Sequence, residues 1–295
     1  MNKSNNSLLF VIPALIWGST WYAIKFQLGA TDPLISVIYR FGLAASILIL
    51  FCLVTRRSLN FTAKEHLRIA LQGALLFGFN YWIVYQAEEY LSSGLVAVGF
   101  STLIFFNIFF GGLFLGNKID KKIIFSAIAG LSGTAVIFKE ELFAFQSGGD
   151  GITGLTLLIT SIIIASLGNI VSAKNSRLKI PVIQATALGM GYGFLIMLTL
   201  ALVLGKTFTI DTNSEYLISL AYLTVFGSII AFSTYLTLIS RIGPDKAAYA
   251  IVVVPVVAVI ISTFLEDFNF TVYTALGMIL LLLGNVLALY KKKEA

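Results

Sequence analysis

Charge is scarce in this chain. Asp, Glu, Lys and Arg make up 12% of its 295 residues, against roughly 25% in an ordinary soluble domain, and that shortage excludes a water-soluble globular protein. Cysteine and histidine are scarcer still, with one of each. Cys52 therefore has no partner for an intramolecular disulfide, and neither Cys52 nor His66 sits in a cluster that would hold a metal. A third shortage is positional. Asp32, Glu88, Glu89, Glu140, Glu141, Asp150, Asp211, Glu215, Glu266 and Asp267 all fall at the ends of apolar segments or between them, and no carboxylate is central. An enzyme working within a membrane needs a nucleophile with its base, a carboxylate pair or metal ligands set in the helices. None is there, so no catalytic residue, metal or cofactor is expected.

What the chain has instead is grease: 58% of its residues are hydrophobic. Ten apolar segments follow one another, at 6–27, 33–54, 69–87, 94–116, 122–138, 152–173, 182–204, 216–239, 247–265 and 271–290. At 1.5 Å per helical residue they match a hydrocarbon core of roughly 30 Å. Closed β-barrels would need short alternating strands rather than unbroken apolar runs. The predicted fold class is an all-α membrane protein with ten transmembrane helices. The first segment, "VIPALIWGSTWYAIK" over 11–25, is longer than a signal-peptide core and lacks an A-x-A-like cleavage site, so it is expected to stay in the mature protein.

The formal charge is +6, and its distribution says more than its size. With a cytoplasmic N-terminus, one side of the membrane receives Lys3, Arg56, Arg57, Lys64, Arg68, Lys118, Lys121, Lys122, Lys174, Arg177, Lys179, Arg241, Lys246 and Lys291 to Lys293. Only Lys139 and Lys206 fall in outer loops, with Lys25 and Arg40 inside segments. Such a bias sets orientation, and it places both termini in the cytoplasm of a multi-pass inner (plasma) membrane protein. Topology and contact with anionic lipid account for the basic clusters, and a nucleic-acid partner is set aside. A small-molecule substrate and membrane lipid are the expected partners, and the chain is expected to act as a monomer or homodimer.

The two halves resemble each other. "LLFGFNYWIVYQAEEYLSSG" over 75–94 and "TVFGSIIAFSTYLTLISRIG" over 224–243 share Phe77-Gly78 with Phe226-Gly227, and Gly94 with Gly243, 149 positions apart. After a two-residue slip, Ala97 falls opposite Ala248 and Gly133 opposite Gly284. Five segments per half is an odd number, so the second half enters from the opposite side and the repeat is inverted. The expected division is 1–140 and 150–295, with 141–149 as an outer linker. Inverted repeats are the recurrent architecture of secondary transporters, with the substrate site at the interface of the halves.

With "WGSTW" in the first segment, "YRFGLAA" in the second and "G…AA…P" entering the ninth, the chain resembles the EamA family of the drug/metabolite transporter superfamily along essentially its whole length. The family's Gly-Glu pair after the fourth and ninth segments is only half kept: Asn117 stands in "LFLGNKI" and Glu266 in "TFLEDF". Pro255 matches the family proline of the ninth segment, where the first half has Ile104.

Candidate pathway residues follow from polarity within the segments. Arg40 lies about 10 Å inside the outer end of segment two by helical rise, where facing lipid would be costly; it either locks helices or meets a substrate carboxylate. Lys25, nearer the outer mouth, either snorkels or joins it. "GFNYWIVYQ" puts Tyr81 and Tyr85 on one helix face with Asn80 beside them, mid-segment, away from the interfacial aromatic belts. Asn107 and Asn169 serve either as helix glue or as lining, and Tyr235 and Tyr249 complete the set from the second half. In the first helix Trp17 and Trp21 share one face while Gly18, Tyr22 and Lys25 follow another, and which of the two borders a pathway is left open. Gly18 and Pro255 are candidate hinges.

The function expected is export of small metabolites such as amino acids by alternating access around a central cavity. Coupling runs down the substrate's own gradient or by a route without a mid-membrane carboxylate. Import or exchange of nucleotide-like metabolites or cationic drugs is the alternative within the class, and a receptor or scaffold the alternative outside it.

Overall fold

The structure is a computed structural model that describes residues 3–117, 121–139, 151–247, 249–252, 254–266 and 268–289. Among these residues every regular element is a helix, and there is no strand. In chain order the long helices are α1 (Lys3–Lys25), α2 (Pro33–Val54), α3 (Ala63–Ala87), α4 (Ser93–Leu115), α5 (Lys121–Ile137), α6 (Gly151–Arg177), α7 (Val182–Val203), α8 (Ser214–Ile242), α9 (Val254–Leu265) and α10 (Val272–Leu289). Seven are long and apolar enough to cross a membrane; the apolar parts of α5, α9 and α10 are shorter. The expected linker 141–149 and the cluster Lys291 to Lys293 lie outside the described residues.

Local chemistry fixes the helix ends. Asp32 caps α2 by accepting from the Leu34 N–H at 2.8 Å, and Pro33 opens the helix where no N–H is needed. Thr62 and Glu65 form a reciprocal capping box at the start of α3. This box draws the polar "AKEHLR" into the helix, so α3 begins six residues before the apolar run at 69. The Thr62 donors hold the exposed Glu65 carboxyl below its ordinary range. α2 and α7 close with the same left-handed turn, at Arg56 (φ 52°) and Gly205 (φ 63°), 149 positions apart.

Two helices change pitch at matching places. α3 passes through a π-helical turn at Ala74–Phe79, and α8 through another at Leu223–Ile230. Each widens the helix beside the glycine that the two halves share, Gly78 and Gly227. α4, expected as one rod, is interrupted: the Ser101 and Thr102 hydroxyls donate back to the carbonyls of Val98 (2.6 Å) and Gly99 (2.7 Å), and the helix restarts at Leu103. In the second half short helical pieces, Pro244–Ala247 and Tyr249–Val252, precede α9, which starts at Val254, 151 positions after Leu103.

Small residues bring the rods together, as expected where lipid offers no hydrophobic drive for association. α5 and α10 meet backbone to backbone: a Cβ on Gly133 would lie 2.6 Å from the Gly277 carbonyl oxygen. α3 and α7 do the same at Gly73 and Gly189. Outward faces carry exposed Leu50, Val54, Phe125 and Phe264, a surface suited to acyl chains.

Candidate functional site

α1, α3, α4, α6, α8 and the entry to α9 converge on a cavity. α1 contributes Trp17, Thr20, Trp21 and Ile24, a single helix face at i, i+3, i+4 and i+7. α3 contributes Leu76, Asn80 and Tyr81, starting within its π turn. Phe100 and Leu103 come from the break in α4, and Ile251 and Val254 from the pieces before α9. Ala165 and Asn169 of α6, with Phe232 and Tyr235 of α8, close the ring.

Several of these residues are repeat mates. Thr20 and Asn169 are 149 positions apart, while Phe100 with Ile251 and Leu103 with Val254 are 151 apart. Corresponding elements of the two halves therefore face one space.

The wall is apolar and aromatic, with polar atoms left unsatisfied. Trp17 packs edge-on to Phe232 (5.1 Å between ring centroids) and Tyr235 (5.0 Å), and its Nε1–H donates to the Gly227 carbonyl at 3.3 Å. By contrast, Trp21 Nε1, Asn80 Oδ1 and the Tyr235 hydroxyl are buried with no hydrogen-bond partner. Buried polar groups are nearly always bonded. Three orphans around one cavity, a donor, an acceptor and a hydroxyl able to do either, are what a ligand with matching groups would satisfy.

Of the sequence-derived candidates, Trp17, Asn80, Tyr81, Asn169 and Tyr235 line this cavity. Arg40 lies behind it. It is fully buried, donates from Nε to Ser228 Oγ (2.9 Å) and from Nη1 to the Tyr85 hydroxyl (3.3 Å), and sits 4.5 Å from the Tyr81 ring centroid. Its Nη2 has no partner. Arg40 thus ties α2 to α3 and α8, and Tyr81 touches both it and the cavity.

Lys25 is held elsewhere: Nζ donates to the carbonyls of Glu88 (2.5 Å) and Leu91 (2.7 Å) beyond the end of α3. Asn107 accepts from Ser166 Oγ at 2.8 Å and joins α4 to α6. Tyr22 packs edge-on to Phe26, away from the cavity. Gly18 meets Val257 of α9, where a Cβ would come within 2.6 Å, and Pro255 is buried at the second position of α9. The Tyr249 side chain lies outside the described residues.

Thr20, Trp21, Phe100 and Phe232 were not among the sequence candidates. The Trp17–Trp21 face, extended by one turn in each step, carries the signal for the first two; nothing in the local sequence singles out the others.

The described residues thus form a helical bundle with membrane-length apolar helices and a cavity where corresponding elements meet. The sequence pattern of the EamA-like transporter family matches this chain twice, at residues 6–139 and 152–290, and the chain belongs to that family. It is 31% identical over 272 residues to the "Uncharacterized inner membrane transporter YedA" of Escherichia coli K12, covering 90% of this chain and 85% of that protein. It is 24% identical over 292 residues to "Protein PagO" of Salmonella typhimurium LT2, covering 98% and 94%. A crystal structure with 17% identity superimposes with a TM-score of 0.71 over 97% of both chains, a likeness of fold alone.

Proposed function

We propose that the protein is a secondary exporter of small amphipathic metabolites such as amino acids. It works in the inner membrane by alternating access around the cavity between two inverted five-helix repeats. On this reading ten spans leave both termini on one side of the membrane, and the basic bias of the connecting segments favours the cytoplasmic side. The name of the Escherichia coli relative supports the inner-membrane location.

The observation that carries the reading is the trio of unpartnered polar atoms, on Trp21, Asn80 and Tyr235, in a wall that is otherwise apolar and aromatic. A small molecule with an apolar body and a few hydrogen-bonding groups fits such a wall, and burial of its polar groups is offset only if those orphans accept and donate. Arg40, whose Nη2 has no partner, lies against Tyr81 and supplies positive potential for a carboxylate.

The test is efflux and uptake of a radiolabelled amino-acid panel in proteoliposomes. Asn80→Ala and Tyr81→Ala are each expected to lower transport at least tenfold while the purified protein stays monodisperse. Transport equal to wild type in both variants overturns the placement of the site.

A further inference from the structure

Glu88 lies one residue past α3 and is 1% exposed, yet neither of its carboxylate oxygens has a hydrogen-bond partner. The charged and titratable groups that act on it come from every element around it: Lys25 of α1, Arg40 of α2, Tyr81 and Tyr85 of α3, and Glu266 at the end of α9. Lys25 spends its donors on backbone carbonyls and not on this carboxylate.

Glu266 makes the contrast. Its Oε2 accepts from the Ser93 N–H (3.2 Å), from Ser93 Oγ (2.6 Å) and from the Ser262 hydroxyl. Donors to a carboxylate favour its ionised form, and burial without donors favours the neutral one. Burial pushes the Glu88 carboxyl well above the usual carboxylate range, against the pull of Lys25 and Arg40, and the neighbouring Glu266 pushes the same way. Glu88, buried and without donors, is therefore a group suited to hold a proton.

The place matters as much as the chemistry. Ser93 opens α4 and Glu266 follows α9, so the knot joins the two segments that match the family separately. Any separation of the halves at this end breaks the knot and wets Glu88.

We propose that Glu88 is a proton-binding site: its neutral carboxyl, packed beside the Ser93–Glu266–Ser262 knot, latches this end of the molecule shut, and loss of the proton releases it. The proposal rests on the reading that the two halves move against each other. The closed form holds the proton more tightly than the opened, hydrated one. Closure is therefore favoured at low pH and weakens as pH rises through the titration of Glu88.

Infrared spectroscopy and hydrogen exchange on the purified full-length protein test this. Wild type is expected to show a protonated-carboxyl C=O band at neutral pH that disappears on raising the pH. Over the same range, exchange in peptides spanning 88–95 and 262–266 should rise several-fold after correction for intrinsic rates. Glu88→Gln, a neutral mimic, is expected to lose the band and keep the slow exchange at all pH values, while exposed Glu89→Gln keeps the wild-type response. No band at neutral pH in wild type, a band that survives in Glu88→Gln, or exchange that does not follow the band overturns the proposal. Neither readout needs a substrate, so an amino-acid panel that is not transported overturns the cavity reading and leaves the latch standing.

Discussion

α3 and α8 occupy matching places in the two halves, and each passes through a π turn beside a shared glycine, at Ala74–Phe79 and Leu223–Ile230. Position by position their side chains diverge. Gly73 corresponds to Tyr222, Asn80 and Tyr81 to Ile229 and Ile230, and Glu88 to Thr237. α3 brings an amide, a phenol and a buried acid, whereas α8 lends the Gly227 carbonyl, the Ser228 hydroxyl that holds Arg40, and the rings of Phe232 and Tyr235. The backbone device is present in both copies. The amide and the buried acid come from α3, so more of the polar chemistry lies in that copy, while α8 adds two aromatic rings and the Tyr235 hydroxyl.

The sharpest way to probe this pair is through its glycines. A Cβ on Gly73 would stand 2.1 Å from the Gly189 carbonyl oxygen, and backbone cannot yield as a side chain can. Gly73→Ala is expected to cost more than about 3 kcal/mol, seen as loss of the monodisperse peak in size-exclusion chromatography. Gly78→Ala meets only the flexible Met197 side chain at 3.2 Å and should stay within about 1 kcal/mol of wild type, with better helix propensity offsetting the contact. Equal behaviour of the two variants breaks the account of how α3 is seated on α7.

A smaller effect separates the chemistry of the two helices. Asn80→Leu should lower transport at least tenfold, about 1.4 kcal/mol in the transition state, and Tyr235→Phe only two- to threefold. The reverse order in proteoliposome rates would mean that α8 is the reading side.

The smallest effect concerns the matching ends of α2 and α7. Arg56 and Gly205 both adopt positive φ, a conformation that strains a residue with a Cβ. Arg56→Gly should stabilise by about 0.5–1 kcal/mol and Gly205→Ala destabilise by a similar amount, in thermal unfolding of the detergent-solubilised protein.

Much of the fold was legible because hydropathy alone marks a segment that must lie in lipid. The start of α3 was missed because its first turns are polar and the Thr62–Glu65 box, not burial, draws them into the helix. The break in α4 was missed because Ser101 and Thr102 look like ordinary small helix residues until their hydroxyls are seen to turn back on the chain.

The site was legible in part, for a related reason. Spacing tells which residues of one helix share a face, but the neighbouring helices decide which face meets a cavity. Trp17, Asn80, Tyr81, Asn169 and Tyr235 meet it, whereas Arg40, Asn107 and Lys25, polar for equally good reasons, are bonded into the protein. Glu88 was hidden most thoroughly: "QAEEYLSSG" reads as a wet connection, and only the packing of α1 and α9 over it makes the turn dry.

Accessibility of the cavity from the two sides of the membrane tests the central claim most directly. With Cys52→Ser as background, Thr20→Cys places one thiol on the cavity wall, to be labelled with a membrane-impermeant maleimide in right-side-out and inverted vesicles. Alternating access predicts labelling from both sides, slowed in both by a transported amino acid. Labelling from one side only, unchanged by every amino acid of the panel, would contradict it.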